Sequence, residues 1–238
     1  MGLRRTGAVT GLLVCLCSLP SATAGEIIGT VRLEGPVPSP SVITIEPKTG
    51  DHSTEGCGDL SKPSPRLLVD ANGGIQNTVV WLESSPQPHP SSSESTAVLD
   101  QQECVFSPHV LVVPPGGSLA IRNSDPLRHN VRIFLGFKML MHEWQPDQAD
   151  DLVWRFETPG RYLVRCGVHP WMYAWVIAAE HAYYSVTDAS GRFRIPNVPI
   201  GRYTLRLWHE TLGEQEQVIR VGSTQRDVVV QFSQERGM

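Results

Sequence analysis

Short runs in which apolar and polar residues alternate fill most of this chain, and hardly any segment shows the 3.6-residue period of an amphipathic helix. Turn signals separate the runs, as in the Pro-Pro-Gly-Gly sequence at residues 114–117. The 238 residues include 21 Gly and 19 Pro, enough for many tight turns. This pattern predicts an all-β chain.

The clearest pair of predicted strands flanks a turn within residues 160–178, GRYLVRCGVHPWMYAWVIA. Side chains on a strand alternate between its two faces, so Tyr162, Val164 and Cys166 are expected to share one face. The second strand leaves after Met172. The turn between them therefore gathers residues that can carry chemistry.

Cys166, His169 and Met172 supply a thiolate, an imidazole and a thioether within this turn. Soft sulfur ligands favour copper over magnesium, calcium or manganese. The best fourth ligand is His129, which follows a Pro-containing turn and precedes an alternating run. Two imidazoles, one thiolate and a weak axial methionine describe a blue-copper site for electron transfer.

Other interpretations of these residues remain open at this point. Cys166 is also compatible with an inert buried thiol, a zinc ligand or a nucleophile beside a histidine base. Zinc and nucleophilic catalysis both leave Met172 unexplained. The alternative function is a copper-binding, copper-handling or partner-binding β-sandwich module without redox cycling. Met139, Met141 and His142 keep a copper-delivery role open, because such a cluster would favour Cu(I).

The sequence His-Asn-Val at 129–131, followed by C-x-x-H-P-x-M at 166–172, resembles the cupredoxins of the plastocyanin and amicyanin kind. The resemblance covers a core at residues 102–180 and implies a Greek-key β-sandwich with one mononuclear type 1 copper. It implies that the ligands are His129, Cys166, His169 and Met172, and that Asn130 ties the two ligand loops together. It further implies a one-electron carrier with redox protein partners, and no enzymatic activity.

Two residues beside His169 extend this hypothesis. Pro170 helps to impose the compact ligand turn and is expected to support the site from behind the ligands. Trp171 is expected to form an apolar docking patch through which electrons enter or leave.

Residues 1–24 resemble a secretory signal peptide, with a basic start, an apolar stretch and a small-residue cleavage site at residues 22–24. We therefore expect export to a periplasm or to the cell exterior, with no membrane span. Two of the five cysteines lie in this segment and would be removed with it. In an oxidising compartment the remaining three suggest a disulfide between Cys57 and Cys104, with Cys166 free for metal.

The chain after residue 180 changes character. Residues 187–203 contain T-D-x-x-G-x-F-x-I-x-x-V-P-x-G-x-Y, which resembles the carboxypeptidase regulatory-like domain, a small transthyretin-like β-sandwich. We predict a copper domain at 25–180 with a mobile loop at 84–96, and a second sandwich at 181–238. Strands from 26–46 are candidates to complete that second sandwich. The net charge of -4 gives no basic footprint for a nucleic-acid partner.

Overall fold

The computed structural model describes residues 24–46, 54–84, 95–222 and 227–233. These residues form strands, turns and irregular segments without a helix, so the predicted all-β class is confirmed. The proposed signal peptide, apart from its last residue, and most of the loop at 84–96 lie outside the described residues.

Eighteen strands follow one another along the described residues. The first nine are β1 Ala24–Glu34, β2 Val42–Thr44, β3 Ser61–Pro63, β4 Val79–Leu82, β5 Thr96–Gln102, β6 Val105–Ser107, β7 Val110–Val113, β8 Ser118–Asn123 and β9 His129–Leu135. The others are β10 Lys138–Gln145, β11 Leu152–Arg155, β12 Gly160–Cys166, β13 Tyr173–Ala178, β14 Tyr184–Val186, β15 Arg192–Pro199, β16 Gly201–His209, β17 Gly213–Val221 and β18 Asp227–Ser233.

Two sheets enclose the first hydrophobic core. One has the strand order β10-β9-β12-β13-β7 and the other the order β11-β8-β5-β6. Alternation along β12 buries Tyr162, Val164 and Cys166 in this core, as the sequence pattern predicted, while Arg161 and Arg165 are exposed. The core therefore lies between the two sheets of a sandwich.

A second hydrophobic core lies between a sheet of order β15-β1-β18 and a sheet of order β14-β4-β16-β17. β1 is antiparallel to β15 and parallel to β18, so it is the central strand of its sheet. β4 lies between β14 and β16 and contributes Val80 and Leu82 to this core. Both β1 and β4 precede residue 180 yet pair with strands that follow it.

The two cores meet through the outer faces of two sheets. Val110, Trp175 and Ile177 project outward from β7 and β13, and they pack against Val79 of β4 and Trp208 of β16. Trp175 and Trp208 meet edge to face, with 5.1 Å between ring centroids. The second core thus covers one half of the outer face of the five-stranded sheet.

A buried carboxylate completes this contact. Glu210 follows β16 and accepts hydrogen bonds from the Tyr173 hydroxyl and the Trp175 indole, each 3.1 Å long, and from His109. Burial alone would raise the pKa of this carboxyl, but the bonds it accepts, foremost that from His109, hold its pKa below the usual 4.5. His109 and Glu210 are therefore interface residues.

Cys57 and Cys104 form a disulfide that joins residues 47 positions apart. The predicted pairing is confirmed, and Cys166 is the free, buried cysteine among the described residues. A cross-link closing a loop of this length restricts the unfolded chain and contributes about 3 to 4 kcal/mol in chain-entropy models.

We predict that Glu210→Gln destabilises the protein by about 2 kcal/mol at neutral pH, because charged hydrogen bonds to a buried acceptor are lost. A carboxyl whose pKa is lowered on folding stabilises the fold above its unfolded pKa. That stabilisation is lost as pH falls through the folded value. The difference between wild type and variant in urea unfolding should therefore shrink below pH 4.5. Glu157→Gln, at an exposed carboxylate, is the control and should change stability little at any pH.

Candidate metal centre

The predicted ligands lie at one end of the first core. His129 is the first residue of β9 and Cys166 is the last residue of β12. These strands are antiparallel neighbours, with Cys166 opposite Val131, so the start of one and the end of the other meet at the same edge. His169 and Met172 follow in the turn that leads to β13.

Three donor atoms converge at this edge. The Cys166 sulfur lies 3.6 Å from His129 Nδ1 and 3.6 Å from His169 Nδ1, and the two nitrogens are 3.0 Å apart. Metal–nitrogen and metal–sulfur bonds of about 2.0 and 2.3 Å span such separations, so one ion can contact all three atoms. The donor set fits a soft transition metal.

The side chains that carry these donors are buried. His129 and His169 are 0% exposed, Met172 is 1% exposed and Cys166 is 4% exposed. Met172 packs in the same core as Cys166. A site closed to water in this way limits exchange of ligands with solvent and favours retention of a bound ion.

Backbone hydrogen bonds fix the ligand turn. Met172 N donates to His169 O at 3.0 Å, and Cys166 N donates to Met172 O at 3.1 Å. Pro170 is exposed between the two. These backbone bonds therefore fix the relative positions of Cys166, His169 and Met172 without help from a metal ion.

Asn130 connects the two ligand segments mainly through its backbone. Its carbonyl accepts a hydrogen bond of 2.7 Å from Gly167 N, and its backbone also contributes to stabilising the Cys166 thiolate. The side-chain Oδ1 accepts from Arg132 Nε at 2.9 Å. Gly167 has no side chain where a Cβ would lie 2.3 Å from that Oδ1, which explains the close approach.

The sequence reasoning missed Asp125. This carboxylate is 4% exposed and accepts a hydrogen bond of 2.8 Å from His129 Nε2, so Nδ1 faces the site. It also accepts from the backbone N–H groups of Glu103 and Cys104. A carboxylate behind a histidine ligand fixes the ring's orientation and strengthens it as a donor. The only signal in the sequence was an acidic residue four positions before His129.

The pKa values of Cys166 and His129 are shifted by their surroundings. Burial raises the pKa of the Cys166 thiol, but hydrogen bonds from His129 and His169 outweigh it and lower the pKa to about 5. Burial has the opposite effect on His129 and lowers its pKa, but the hydrogen bonds to Asp125 and to Cys166 outweigh it and raise the pKa above 6.5. The sulfur is thus prepared as a thiolate, which is the form that binds metal.

The disulfide packs against the same site. Donor atoms of Cys57, Cys104 and His169 lie within 4.8 Å of one another. Trp171 is half-buried, with its indole donating a 3.0 Å hydrogen bond to the Cys104 carbonyl. Its ring centroid is 5.2 Å from that of His169. Trp171 therefore braces the ligand turn, and its predicted docking role stays a prediction.

The side chains of Met139, Met141 and His142 in β10 do not converge on one point. Met141 pairs with Ile133 and packs on the first core, whereas His142 is exposed opposite Arg132. Successive residues of a strand point to opposite faces, so Met141 and His142 lie on different sides of the sheet. Met139 is 49% exposed. This arrangement argues against a second copper site there.

Residues 168–230 match the family model described as polysaccharide lyase family 4, domain II. That match starts within the ligand turn and covers β13 to most of β18. No curated protein matches the chain. The resemblance of the second module to the carboxypeptidase regulatory-like domain stays a prediction.

Solved structures similar to this chain include cupredoxins. A purple cupredoxin from Nitrosopumilus maritimus is 23% identical with a TM-score of 0.30, over 35% of this chain and 99% of that one. An amicyanin from Paracoccus versutus is 17% identical with a TM-score of 0.32, over 42% and 97%. A copper-containing nitrite reductase from Thermus scotoductus is 21% identical with a TM-score of 0.31, over 40% and 23%. Within the described ranges, no helix has the length and apolar character of a membrane span.

We predict that the thiol of Cys166 titrates near pH 5 in chelator-treated protein, because two imidazoles stabilise the thiolate. Ultraviolet absorbance of the thiolate against pH measures this, and the signal should disappear in Cys166→Ser. His169→Gln should raise the midpoint toward the ordinary value of 9.0. A midpoint above 8 in the wild type would contradict the arrangement described here.

Proposed function

We propose that the chain is an exported one-electron carrier in which His129, Cys166, His169 and Met172 hold one type 1 copper ion. The observation that carries this proposal is the convergence of two imidazole nitrogens and one thiolate sulfur, 3.0 to 3.6 Å apart, in a buried site. This donor set is typical of blue-copper centres. The cupredoxin-like arrangement of the ligands along the sequence supports the same proposal.

Bound copper would alternate between Cu(II) and Cu(I) and so accept or release a single electron. The chain's own residues keep the donors in place in both states. Asp125 fixes His129 from behind, and the hydrogen bonds of the ligand turn fix the backbone of Cys166, His169 and Met172. Little rearrangement is then needed during electron transfer, which favours a fast reaction.

The burial of the ligands also bears on the alternative function. A protein that delivers copper needs ligands that a partner can reach and replace. All four proposed ligands are at most 4% exposed, and the disulfide and Trp171 pack beside His169. This geometry favours a retained ion and redox protein partners over copper handling.

We propose that the second core serves as a structural or partner-binding module. Its strands β1 and β4 come from the N-terminal part of the chain and its other strands follow residue 180. Along the sequence, the segments of this module therefore lie on both sides of the first core's main strands. Its Glu210 holds Tyr173, the residue that follows Met172. The module thereby supports the exit of the ligand turn.

We expect protein loaded with Cu(II) to show an intense visible thiolate-to-copper band and narrow EPR hyperfine splitting. Cys166→Ser should abolish both, because the charge-transfer ligand is lost. Met172→Leu should shift the spectrum and raise the reduction potential, whereas Met139→Leu, at an exposed position, should change neither. An ordinary tetragonal copper signal that survives in Cys166→Ser would rule out the electron carrier.

Asp125→Asn should weaken copper affinity about 10- to 100-fold while keeping a thiolate-to-copper band, because the amide orients His129 without a negative charge. Competition with a chelator measures the affinity. Asp151→Asn is the matched control, because the Asp151 carboxylate pairs with Arg122 away from the ligands. This variant should bind copper normally. Equal losses in both variants would contradict a specific role for Asp125, and metal-free unfolding of each variant separates stability from affinity.

A further inference from the structure

The outer face of the five-stranded sheet is divided into two halves. The second core covers the half formed by β13 and β7. The outward positions of β9 and β12 that remain open include Arg132, Phe134, Leu163 and Arg165, whereas Arg161 at the start of β12 pairs with Glu214. This open half lies directly beside the ligand Cys166, which follows Arg165.

Two arginines dominate the open half. Arg132 and Arg165 are directly opposite each other on β9 and β12, and exposed His142 is opposite Arg132 on β10. Within the described ranges, neither guanidinium has a carboxylate at ion-pair distance, in contrast to Arg161 and Arg206. The neighbouring acid, Glu143, pairs with a buried core residue and lies on the other face of the sheet.

The positive charge reaches the edge of the metal centre. A Cβ atom at Gly167 would lie 2.6 Å from Arg132 Nη2, so the guanidinium rests on the residue after Cys166. A surface cavity of about 210 Å³ is lined by Arg132, Phe134, Arg165, Cys166, Gly167 and Pro170. The thiolate ligand is thus separated from this basic surface by little more than its own backbone.

We propose that this basic face, defined by Arg132, Phe134, Arg165 and Pro170, is the docking surface for a carboxylate-rich patch of a redox partner protein. Guanidinium groups recognise carboxylates through paired hydrogen bonds and steer oppositely charged partners by long-range attraction. Phe134 and Pro170 supply the apolar contacts that such interfaces combine with arginine. The inference rests on the proposed electron-carrier function and adds the entry point and the charge of the partner.

The surface is tested without copper by titrating a hexaglutamate peptide into labelled protein at low salt and following amide NMR shifts. We expect shifts on β9 and β12, and affinity about fivefold weaker in Arg132→Gln/Arg165→Gln, since two attractive charges are removed. Arg202→Gln/Arg220→Gln is the matched control, because those exposed arginines are also cross-strand partners, on β16 and β17. Equal binding in all three proteins would overturn the proposal.

A kinetic test uses copper-loaded, reduced protein and two small oxidants of opposite charge. Oxidation by hexacyanoferrate(III) should slow roughly tenfold in the Arg132/Arg165 variant, and oxidation by tris(phenanthroline)cobalt(III) should not slow. Arg165→Gln alone should also slow oxidation by hexacyanoferrate(III), but by a smaller factor. This variant leaves the hydrogen bond from Arg132 to Asn130 intact. Identical changes with both oxidants would overturn the charge-based docking surface.

The failures of the two proposals are distinguishable. A protein without a blue-copper spectrum that still binds hexaglutamate through the basic face refutes the electron carrier but keeps the acidic partner. A blue-copper protein whose peptide binding ignores Arg132 and Arg165 refutes only the docking surface. Arginine-dependent binding to phosphatidylglycerol vesicles without binding to the peptide would assign the face to a membrane and overturn the protein partner.

Discussion

The candidate site depends on the hydrogen bonds that the buried carboxylate of Asp125 accepts. It accepts hydrogen bonds from His129 Nε2 and from the backbone of Glu103 and Cys104. A buried carboxylate is costly unless such bonds compensate it, so its three partners are held firmly. Through Cys104, the same group connects the disulfide to the ligand segment. The orientation of His129 is therefore set by protein contacts.

The disulfide and the ligand turn complete this arrangement. Trp171 donates to the Cys104 carbonyl, and the sulfur atoms of the disulfide lie close to His169. A covalent link between distant segments thus stands against the edge where the donors converge. Cross-linking reduces the freedom of the unfolded chain and so favours the folded arrangement around the site.

The second core has two effects on the same sheet. It covers β13 and β7 with apolar side chains and binds Tyr173 through Glu210, next to the end of the ligand turn. It contacts β12 at Arg161, which pairs with Glu214, and it leaves Arg132 and Arg165 facing outward. A single sandwich packed on half of a sheet therefore both supports the site and delimits the open part of the sheet's outer face.

The sequence alone determined the features that depend on local pattern. Alternation predicted β structure and placed Tyr162, Val164 and Cys166 on one face, and cysteine counting predicted the disulfide, because strand period and oxidative pairing are visible in the residues themselves. Tertiary structure alone decided which distant groups meet. Asp125 behind His129, the pairing of β1 with β18 and the open face around Arg132 all result from contacts between segments far apart or from loop geometry. Sequence periodicity carries no information about such pairings, since it reports which side of a strand is buried and not what covers it.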